Sequence, residues 1–125
     1  QFRYPFQKFL IELPAGKLEI SEDPKYCAQR ELTEETGYFS DNITKLGQIY
    51  TTPGFCTEIL HIYLAEDLDY HQVNREEGEY GMEVRKYSLD KALQMIGKGE
   101  IVDSKTICGL QLYQIYRKNK VNEIT

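Results

Sequence analysis

A run of six residues, rich in carboxylates, constrains this chain more than any other feature. Positions 30–35 read Arg-Glu-Leu-Thr-Glu-Glu, so that Glu31, Glu34 and Glu35 follow the spacing i, i+3 and i+4. In a helix these positions share one face within about one turn. Oxygen-only ligands select hard cations, so this face is a candidate site for Mg²⁺ or Mn²⁺. The alternative is an ordinary solvated helix surface.

The residues around the run predict where the helix begins and ends. Asp23 followed by Pro24 fits an N-cap and a first helical position. Gly37 fits the position just beyond the last helical residue. Ala28 and Leu32 lie four residues apart and predict the inward-facing stripe.

The wider spacing resembles the Nudix box. Gly16 is followed after five residues by Glu22 and after seven more by Arg30-Glu31; an aliphatic residue, the Glu34-Glu35 pair and Gly37 complete the pattern. The chain is therefore similar to the Nudix hydrolases. The resemblance implies a mixed α/β fold, a Nudix-type α/β/α sandwich with a mixed β-sheet and the loop-helix-loop of the box. It also implies one Nudix hydrolase domain over residues 1–125.

The resemblance implies roles for the box residues. Glu31 and Glu35 are expected to be the main metal ligands, joined by Glu34 and the backbone carbonyl of Ala15. Together they would hold one to three Mg²⁺ or Mn²⁺ ions. Arg30 is expected to fix a neighbouring glutamate, Glu22 or Glu34, and not to touch the substrate. The supporting residues of the box are Gly16, Glu22, Arg30 and Gly37.

Features outside the box resemble the ADP-ribose pyrophosphatase subgroup. Pro53 lies sixteen residues after Gly37, and the runs 1–5, 12–19, 53–58 and 101–106 also fit. The implied reaction is hydrolysis of ADP-ribose, or a related nucleoside diphosphate sugar, to AMP and ribose 5-phosphate. Three alternative substrates stay open, namely GDP-mannose, diadenosine polyphosphate and NADH. A non-catalytic Nudix module that binds nucleotide sugars is a further alternative.

By the same resemblance, three residues would bind the substrate. Arg3 would contact the diphosphate, because its planar charged fork suits phosphate oxygens. Glu58 would lie at the ribose end, and Pro53, the mark of the subgroup, is the third substrate-binding candidate. Two of them also have a plain interpretation: Arg3 could be an ordinary strand residue and Glu58 a turn residue.

An acidic loop follows, and it carries the predicted catalytic glutamates. The run 75–79 reads Arg-Glu-Glu-Gly-Glu. In the family one glutamate of such a loop helps to bind metal and another positions or deprotonates the attacking water. Glu77 and Glu79 fit best, with Glu34 as a further catalytic candidate, but the choice between them and Glu76 stays open.

Composition excludes several other classes. The net charge of −5 argues against binding nucleic acid, which needs clustered Lys and Arg. No apolar run approaches the length of about 18 residues that marks a membrane span. The three cysteines are widely spaced without a CxxC pair, which favours free thiols in a reducing cytoplasm. The resemblance implies that the family's N-terminal strands and dimerisation sheet would precede residue 1, and the full-length protein is expected to be a homodimer.

Hydrophobic patterns predict the remaining elements. A loop is expected over residues 67–80, and a final helix from Asp103 to about Lys118 with Ile115 among its buried residues. Ser88 is expected to cap an earlier helix that is closed by Gly97 or Gly99. The predicted strands are Phe9–Leu13, Ile43–Thr51, Ile59–Ala65 and Met82–Tyr87.

Overall fold

The computed structural model describes residues 1–72 and 81–124. Helices and short strands are mixed along the chain, as the predicted α/β class requires. No helix within this described part is both long and apolar enough to cross a membrane. In chain order the elements are β1 (Phe2–Arg3), a 3₁₀ turn (Tyr4–Phe6), β2 (Lys8–Phe9), α1 (Pro24–Thr36), β3 (Tyr38–Phe39), β4 (Asn42–Tyr50), β5 (Ile59–Glu66), β6 (Asp69–Tyr70), α2 (Leu89–Gly97) and α3 (Ser104–Ile124).

The strands of the described residues pair two by two. β1 pairs with β2 in antiparallel fashion, with Phe2 opposite Phe9. β3 and β6 are also antiparallel, with Tyr38 opposite Tyr70 and the two rings 5.4 Å apart edge to face. β4 and β5 form the third pair and are the longest strands.

Two of the four predicted strands are confirmed. β4 and β5 begin and end within one residue of the predicted bounds. The strand predicted at Phe9–Leu13 is wrong, because the strand ends at Phe9. The backbone N–H of Leu13 donates instead to the side-chain hydroxyl of Thr106 at 3.0 Å, so it is satisfied without a ladder partner.

The later strand assignments also need correction. Met82–Tyr87 is not a strand, and within the described residues no strand pairs with it. An alternating pattern therefore does not by itself form a strand when no neighbouring backbone completes the hydrogen bonds. The predicted loop over 67–80 contains the two-residue strand β6, and residues 73–80 lie outside the described part.

Helix α1 begins and ends where its sequence predicts. The Asp23 carboxylate accepts a hydrogen bond from the backbone N–H of Lys25 at 2.8 Å, and Pro24 is the first helical residue. At the other end Gly37 has φ 78°, a left-handed conformation that glycine adopts at little cost, and its N–H donates to the Thr33 carbonyl. These two caps fix the register in which the carboxylates leave the helix.

The described residues group into two compact units. The first contains 1–9, 14–45 and the described residues of 63–85, and it includes the whole of α1. In this unit the Ser40 hydroxyl is buried and donates to the Glu66 carbonyl, while the Ser40 carbonyl accepts from the Gln29 amide at 2.5 Å. These bonds tie the residues that follow α1 to the middle of the helix.

The second unit contains residues 10–13, 46–62 and 86–124. Ser88 caps α2 as predicted, since its hydroxyl accepts from the Lys91 N–H at 3.2 Å. Helix α3 runs beyond the predicted end at Lys118, and Ile115 is 54% exposed, so its predicted burial is wrong. The apolar core of this unit consists of Ala92, Met95 and Ile101, with Ile11, Ile96, Ile107 and Leu110 packed against them.

Candidate active site

A two-point ion pair anchors the loop that precedes α1. The Nε and Nη2 atoms of Arg30 donate to the two carboxylate oxygens of Glu22 at 2.8 and 2.9 Å. Nη2 also donates to the backbone carbonyl of Lys17 at 3.1 Å. Parallel bonds between a guanidinium and a carboxylate are strong and directional, so they fix the loop 17–22 against the first turns of the helix.

The remaining arm of the same guanidinium reaches two glutamates of the helix. Arg30 Nη1 lies 3.0 Å from Glu31 Oε1 and 3.1 Å from Glu34 Oε2. The side chains of Glu31 and Glu34 are only 12% and 23% exposed, so these contacts are partly shielded from water. Arg30 therefore contacts both glutamates that the sequence argument considered for it, Glu22 and Glu34, and Glu31 in addition.

Glu35 is the most buried of the three helix glutamates. It is 6% exposed, and its Oε2 accepts a hydrogen bond from the backbone N–H of Ala15 at 3.1 Å. A buried carboxylate needs such partners, because leaving water without them is costly. This bond holds the loop residue Ala15 beside the helix. The backbone carbonyl of Ala15 is one of the predicted metal ligands.

Gly16 completes the contact between loop and helix. A Cβ atom at this position would overlap the carboxyl group of Glu31. The absence of a side chain thus lets Glu31 lie directly against the loop backbone. Glycine is needed here for space, which the spacing of the box alone does not explain.

The charges of this cluster shift its titration. The hydrogen bond from Arg30 is the main cause that lowers the pKa of Glu22 from 4.5 to about 2. The same bond to Glu22 raises the pKa of Arg30 above its already high value. Burial raises the pKa of the nearby Cys27 thiol from 9.0 to about 11. At neutral pH the cluster therefore contains ionised Glu22, a permanent cation at Arg30 and a neutral thiol.

The chemistry of the donors fits a divalent cation. Glu31, Glu34 and Glu35 offer oxygen ligands from one helical face, and the Ala15 carbonyl lies in the loop that Glu35 holds. Hard ions such as Mg²⁺ and Mn²⁺ prefer this set. As arranged in the described residues, however, no three acidic, histidine or cysteine side chains converge on a point where they could hold a metal. Two of the carboxylates are instead directed at Arg30.

The predicted substrate residues lie in both units. Arg3 is on β1 opposite Lys8, in the same unit as α1. Pro53 and Glu58 are exposed residues of the connection between β4 and β5, in the second unit. A backbone bond from Thr51 N–H to the Glu58 carbonyl, 3.3 Å long, closes that connection. The binding roles of all three stay predictions.

The predicted catalytic loop lies beyond what is described. Glu76, Glu77 and Glu79 fall within residues 73–80, outside the described residues. Only Glu34 among the catalytic candidates therefore lies in the described part, where its Oε2 accepts a hydrogen bond from Arg30 Nη1. Which glutamate acts on water stays a prediction.

Sequence reasoning did not single out three residues that contact Arg30. Besides the Lys17 carbonyl, the guanidinium lies 3.7 Å from the Cys27 sulfur and 3.8 Å from Glu19. The Cys27 thiol in turn donates to the Lys17 carbonyl at 3.5 Å. Their positions in the sequence could have indicated these contacts. All three residues fall in the loop of the box or in the first turn of its helix, within reach of a long side chain at residue 30.

A second polar cluster was also missed, in the other unit. The Lys105 ammonium contacts Glu12 and lies 3.1 Å from Asp103, and Asp103 also accepts a bond from the Thr106 N–H at 3.1 Å. Its members fall in two of the runs that resemble the ADP-ribose pyrophosphatases. The cluster caps α3 and fixes the segment before Pro14.

Comparison with known proteins establishes the family. The NUDIX domain matches residues 1–108, and the chain belongs to this family. It is 44% identical over 117 residues to an ADP-ribose pyrophosphatase of Bacillus subtilis and 42% identical to a methanol dehydrogenase activator of Bacillus methanolicus, covering 92% of this chain and 63% of each relative. It is 38% identical over 108 residues to a GDP-mannose pyrophosphatase of Escherichia coli O1:K1, covering 85% of this chain and 56% of that protein.

A solved structure supports the fold. A crystal structure of an ADP compounds hydrolase matches 96% of this chain and 64% of its own, with a TM-score of 0.87 at 17% identity. The predicted Nudix fold is thereby confirmed. The chain spans less than two thirds of the length of these relatives.

Proposed function

We propose that this chain is the catalytic part of a pyrophosphohydrolase that cleaves ADP-ribose to AMP and ribose 5-phosphate. The observation that carries the proposal is the set of three box glutamates on one face of α1, with the loop residues Ala15 and Gly16 packed against them. The 44% identity to an ADP-ribose pyrophosphatase supports this substrate.

Glu31 and Glu35 would be the principal holders of Mg²⁺ or Mn²⁺, with Glu34 and the Ala15 carbonyl as further ligands. Such ions, when bound, would supply positive charge against the phosphates and make water more acidic. The chain's own part is to fix these oxygens. Glu35 is held by the Ala15 amide and Glu31 by the space at Gly16, so both carboxylates leave the helix in a set direction.

Substrate binding and water activation would come from other segments. Arg3 would bind the diphosphate through its guanidinium, and Glu58 and Pro53 would contact the ribose end. A carboxylate from the pair Glu77 and Glu79 would take a proton from the attacking water. The water oxygen then bonds to one phosphorus, the bridging P–O bond breaks, and the proton reaches the departing phosphate.

The proposal is tested by a substrate panel on the full-length protein. ADP-ribose, GDP-mannose, diadenosine polyphosphate and NADH are each incubated with Mg²⁺ or Mn²⁺, and the products are separated by chromatography. We expect the highest kcat/KM for ADP-ribose, with AMP as a product. A preference for another member of the panel would reject the substrate while keeping the reaction class, and no cleavage of any would reject both.

GDP-mannose is the second candidate substrate. The observation in its favour is the 38% identity to a GDP-mannose pyrophosphatase. The box would contact only the diphosphate region in either case, so it would serve both substrates equally. A non-catalytic binding module is disfavoured by the retention of Glu31, Glu34 and Glu35, since binding alone does not require a metal site.

The full-length protein is further proposed to be a homodimer in the cytoplasm that binds a nucleoside diphosphate sugar, and neither nucleic acid nor a membrane. The net charge of −5 disfavours nucleic acid as a partner. The three free cysteines fit a reducing cytoplasm. Light scattering after size-exclusion chromatography measures the mass directly. A monomer at micromolar concentration would reject the dimer.

A further inference from the structure

The three glutamates that accept hydrogen bonds from Arg30 divide into two groups. Glu22 binds Nε and Nη2 through both of its oxygens, at 2.8 and 2.9 Å. Glu31 and Glu34 share the third nitrogen, Nη1, at 3.0 and 3.1 Å. One carboxylate with two parallel bonds already balances a guanidinium. The Nη1 contacts are therefore additional to the two-point pair with Glu22 and can be lost without breaking it.

These contacts affect whether the carboxylates can hold a metal. Glu31 and Glu34 are directed at Nη1, and in the described residues no three acidic side chains converge on a common point. Both residues are nonetheless placed on the same face of α1 as Glu35. A divalent cation near them would also experience repulsion from the positive charge of Arg30. The present arrangement and a metal-holding one therefore compete for the same oxygens.

We propose that Arg30 is an exchangeable counter-ion of the metal site. Its Nη1 arm holds Glu31 and Glu34 while the metal is absent and releases them when a divalent ion binds, whereas Glu22 retains the Nε and Nη2 arms. This inference rests on the proposed function, since it needs the same glutamates to be metal ligands. It differs from a purely positioning role, in which Arg30 would improve metal affinity.

The two roles predict opposite effects of removing the charge. The Mn²⁺ affinity is measured by calorimetry for the full-length protein and for Arg30→Met. The exchange predicts binding at least about tenfold tighter in the variant, because one like charge close to a divalent ion is removed. Arg117→Met, which removes the same charge from the exposed end of α3, is the matched control and should bind Mn²⁺ as the unaltered protein does.

Thermal unfolding gives a second readout. Without metal, Arg30→Met should have a lower Tm, because four glutamates near residue 30 lose their shared cation. The rise in Tm produced by a fixed excess of Mn²⁺ should be larger in the variant than in the unaltered protein, since tighter binding stabilises the folded state more.

A measurement on the unaltered protein tests the exchange even if the Arg30→Met variant does not fold. Side-chain nitrogen signals of arginine are followed by NMR during a Mg²⁺ titration. The Nη signals of Arg30 should shift as Glu31 and Glu34 leave, while the Nε signal, bonded to Glu22, should move little. Unchanged Nη signals at saturating Mg²⁺ would overturn the exchange.

The outcomes separate this inference from the proposed function. Mn²⁺ binding to the unaltered protein, with equal or weaker binding to Arg30→Met, overturns the exchange and leaves the metal site intact. No Mn²⁺ binding to the unaltered protein removes the metal site and the exchange together.

Discussion

At the scale of single residues, the missing side chain of Gly16 defines where Glu31 can lie. We predict that Gly16→Ala weakens Mn²⁺ binding by about 10- to 100-fold, because the new methyl group displaces the Glu31 carboxylate. The metal-free free energy of unfolding should change by less than about 1 kcal/mol, since only a flexible side chain must move.

The matched control for this change is Gly54→Ala. A Cβ at Gly54 would meet no atom within 4 Å, so this variant should bind Mn²⁺ normally. Calorimetric titration of both variants makes the comparison. Equal affinities would show that Glu31 does not depend on the space at Gly16.

Glu35 combines a buried carboxylate with a bond to the loop. In Glu35→Gln the amide oxygen can still accept from the Ala15 N–H, but the negative charge is lost. We expect kcat/KM for ADP-ribose to fall more than about 100-fold with the fold retained, since changes to residues that only support a metal ligand already cost 10- to 100-fold. Circular dichroism checks the fold, and Glu100→Gln, an exposed site, serves as the control.

The raised pKa of Cys27 predicts that its thiol reacts slowly with alkylating reagents. A shift from 9.0 to about 11 leaves roughly 100-fold less reactive thiolate at a given pH. Mass spectrometry after iodoacetamide treatment at pH 8 should therefore show Cys27 modified at least about tenfold more slowly than Cys56, which is less buried. Labelling of the two cysteines at the same rate would contradict the burial of Cys27.

At the scale of elements, α1 depends on its N-cap to present the glutamates in register. Asp23→Ala removes the acceptor for the Lys25 N–H and should lower the free energy of unfolding by about 1 kcal/mol. Urea denaturation measures this loss, with Asp41→Ala, at an exposed position, as the comparison. Identical losses in the two variants would mean that the cap does not stabilise the helix.

The elements that the sequence predicted well are those with local signals. Helix α1 has an N-cap, a proline and a terminal glycine, and β4 and β5 have long apolar and β-branched runs. The failures at Phe9–Leu13 and Met82–Tyr87 have another cause. A short strand exists only where a second backbone pairs with it, and that partner is a property of the tertiary structure.

In the candidate site, too, the features with local sequence signals were predicted and those set by the tertiary structure were not. Spacing alone put Glu31, Glu34 and Glu35 on one face, because helical geometry is periodic. It did not reveal that Arg30 would span Glu22, Glu31 and Glu34 together, since this depends on the path of the loop 17–22. Nor did it explain Gly16, whose role is set by a side chain fifteen positions away in the chain.

At the scale of the whole molecule, the Arg30–Glu22 pair makes the free energy of unfolding depend on pH. The pKa of Glu22 is lowered to about 2 in the folded state, from 4.5. The unfolded chain therefore binds this proton first, so the pair stabilises the fold above about pH 4.5 and progressively less as the pH falls towards 2.

We predict that Glu22→Gln is less stable than the unaltered protein at pH 7 and that the difference narrows steadily between pH 4.5 and 3. Urea unfolding at several pH values, without metal, measures both curves. Glu100→Gln is again the control and should follow the unaltered protein. A difference that stays constant with pH would show that Glu22 is not the titrating group.

The family and the fold could be predicted from the sequence. The domain arrangement and the substrate could be predicted less well. The NUDIX match covers residues 1–108, but the expectation of one domain over residues 1–125 stays a prediction beside the two compact units of the described residues. We propose that substrate choice depends on segments outside the box; the chain spans 63% of the ADP-ribose pyrophosphatase and 56% of the GDP-mannose pyrophosphatase that it resembles. Those contacts cannot follow from helix periodicity.

The central claim is that the glutamates of α1 gather a divalent ion for cleavage of a diphosphate. The most direct measurement is an anomalous difference map from crystals of the full-length protein soaked in Mn²⁺. We expect a peak within bonding distance of the Glu31 and Glu35 carboxylates, about 2.0–2.5 Å from the nearest oxygens. A map without a peak there, with Arg30 still bound to Glu31 and Glu34 at saturating Mn²⁺, would contradict the claim.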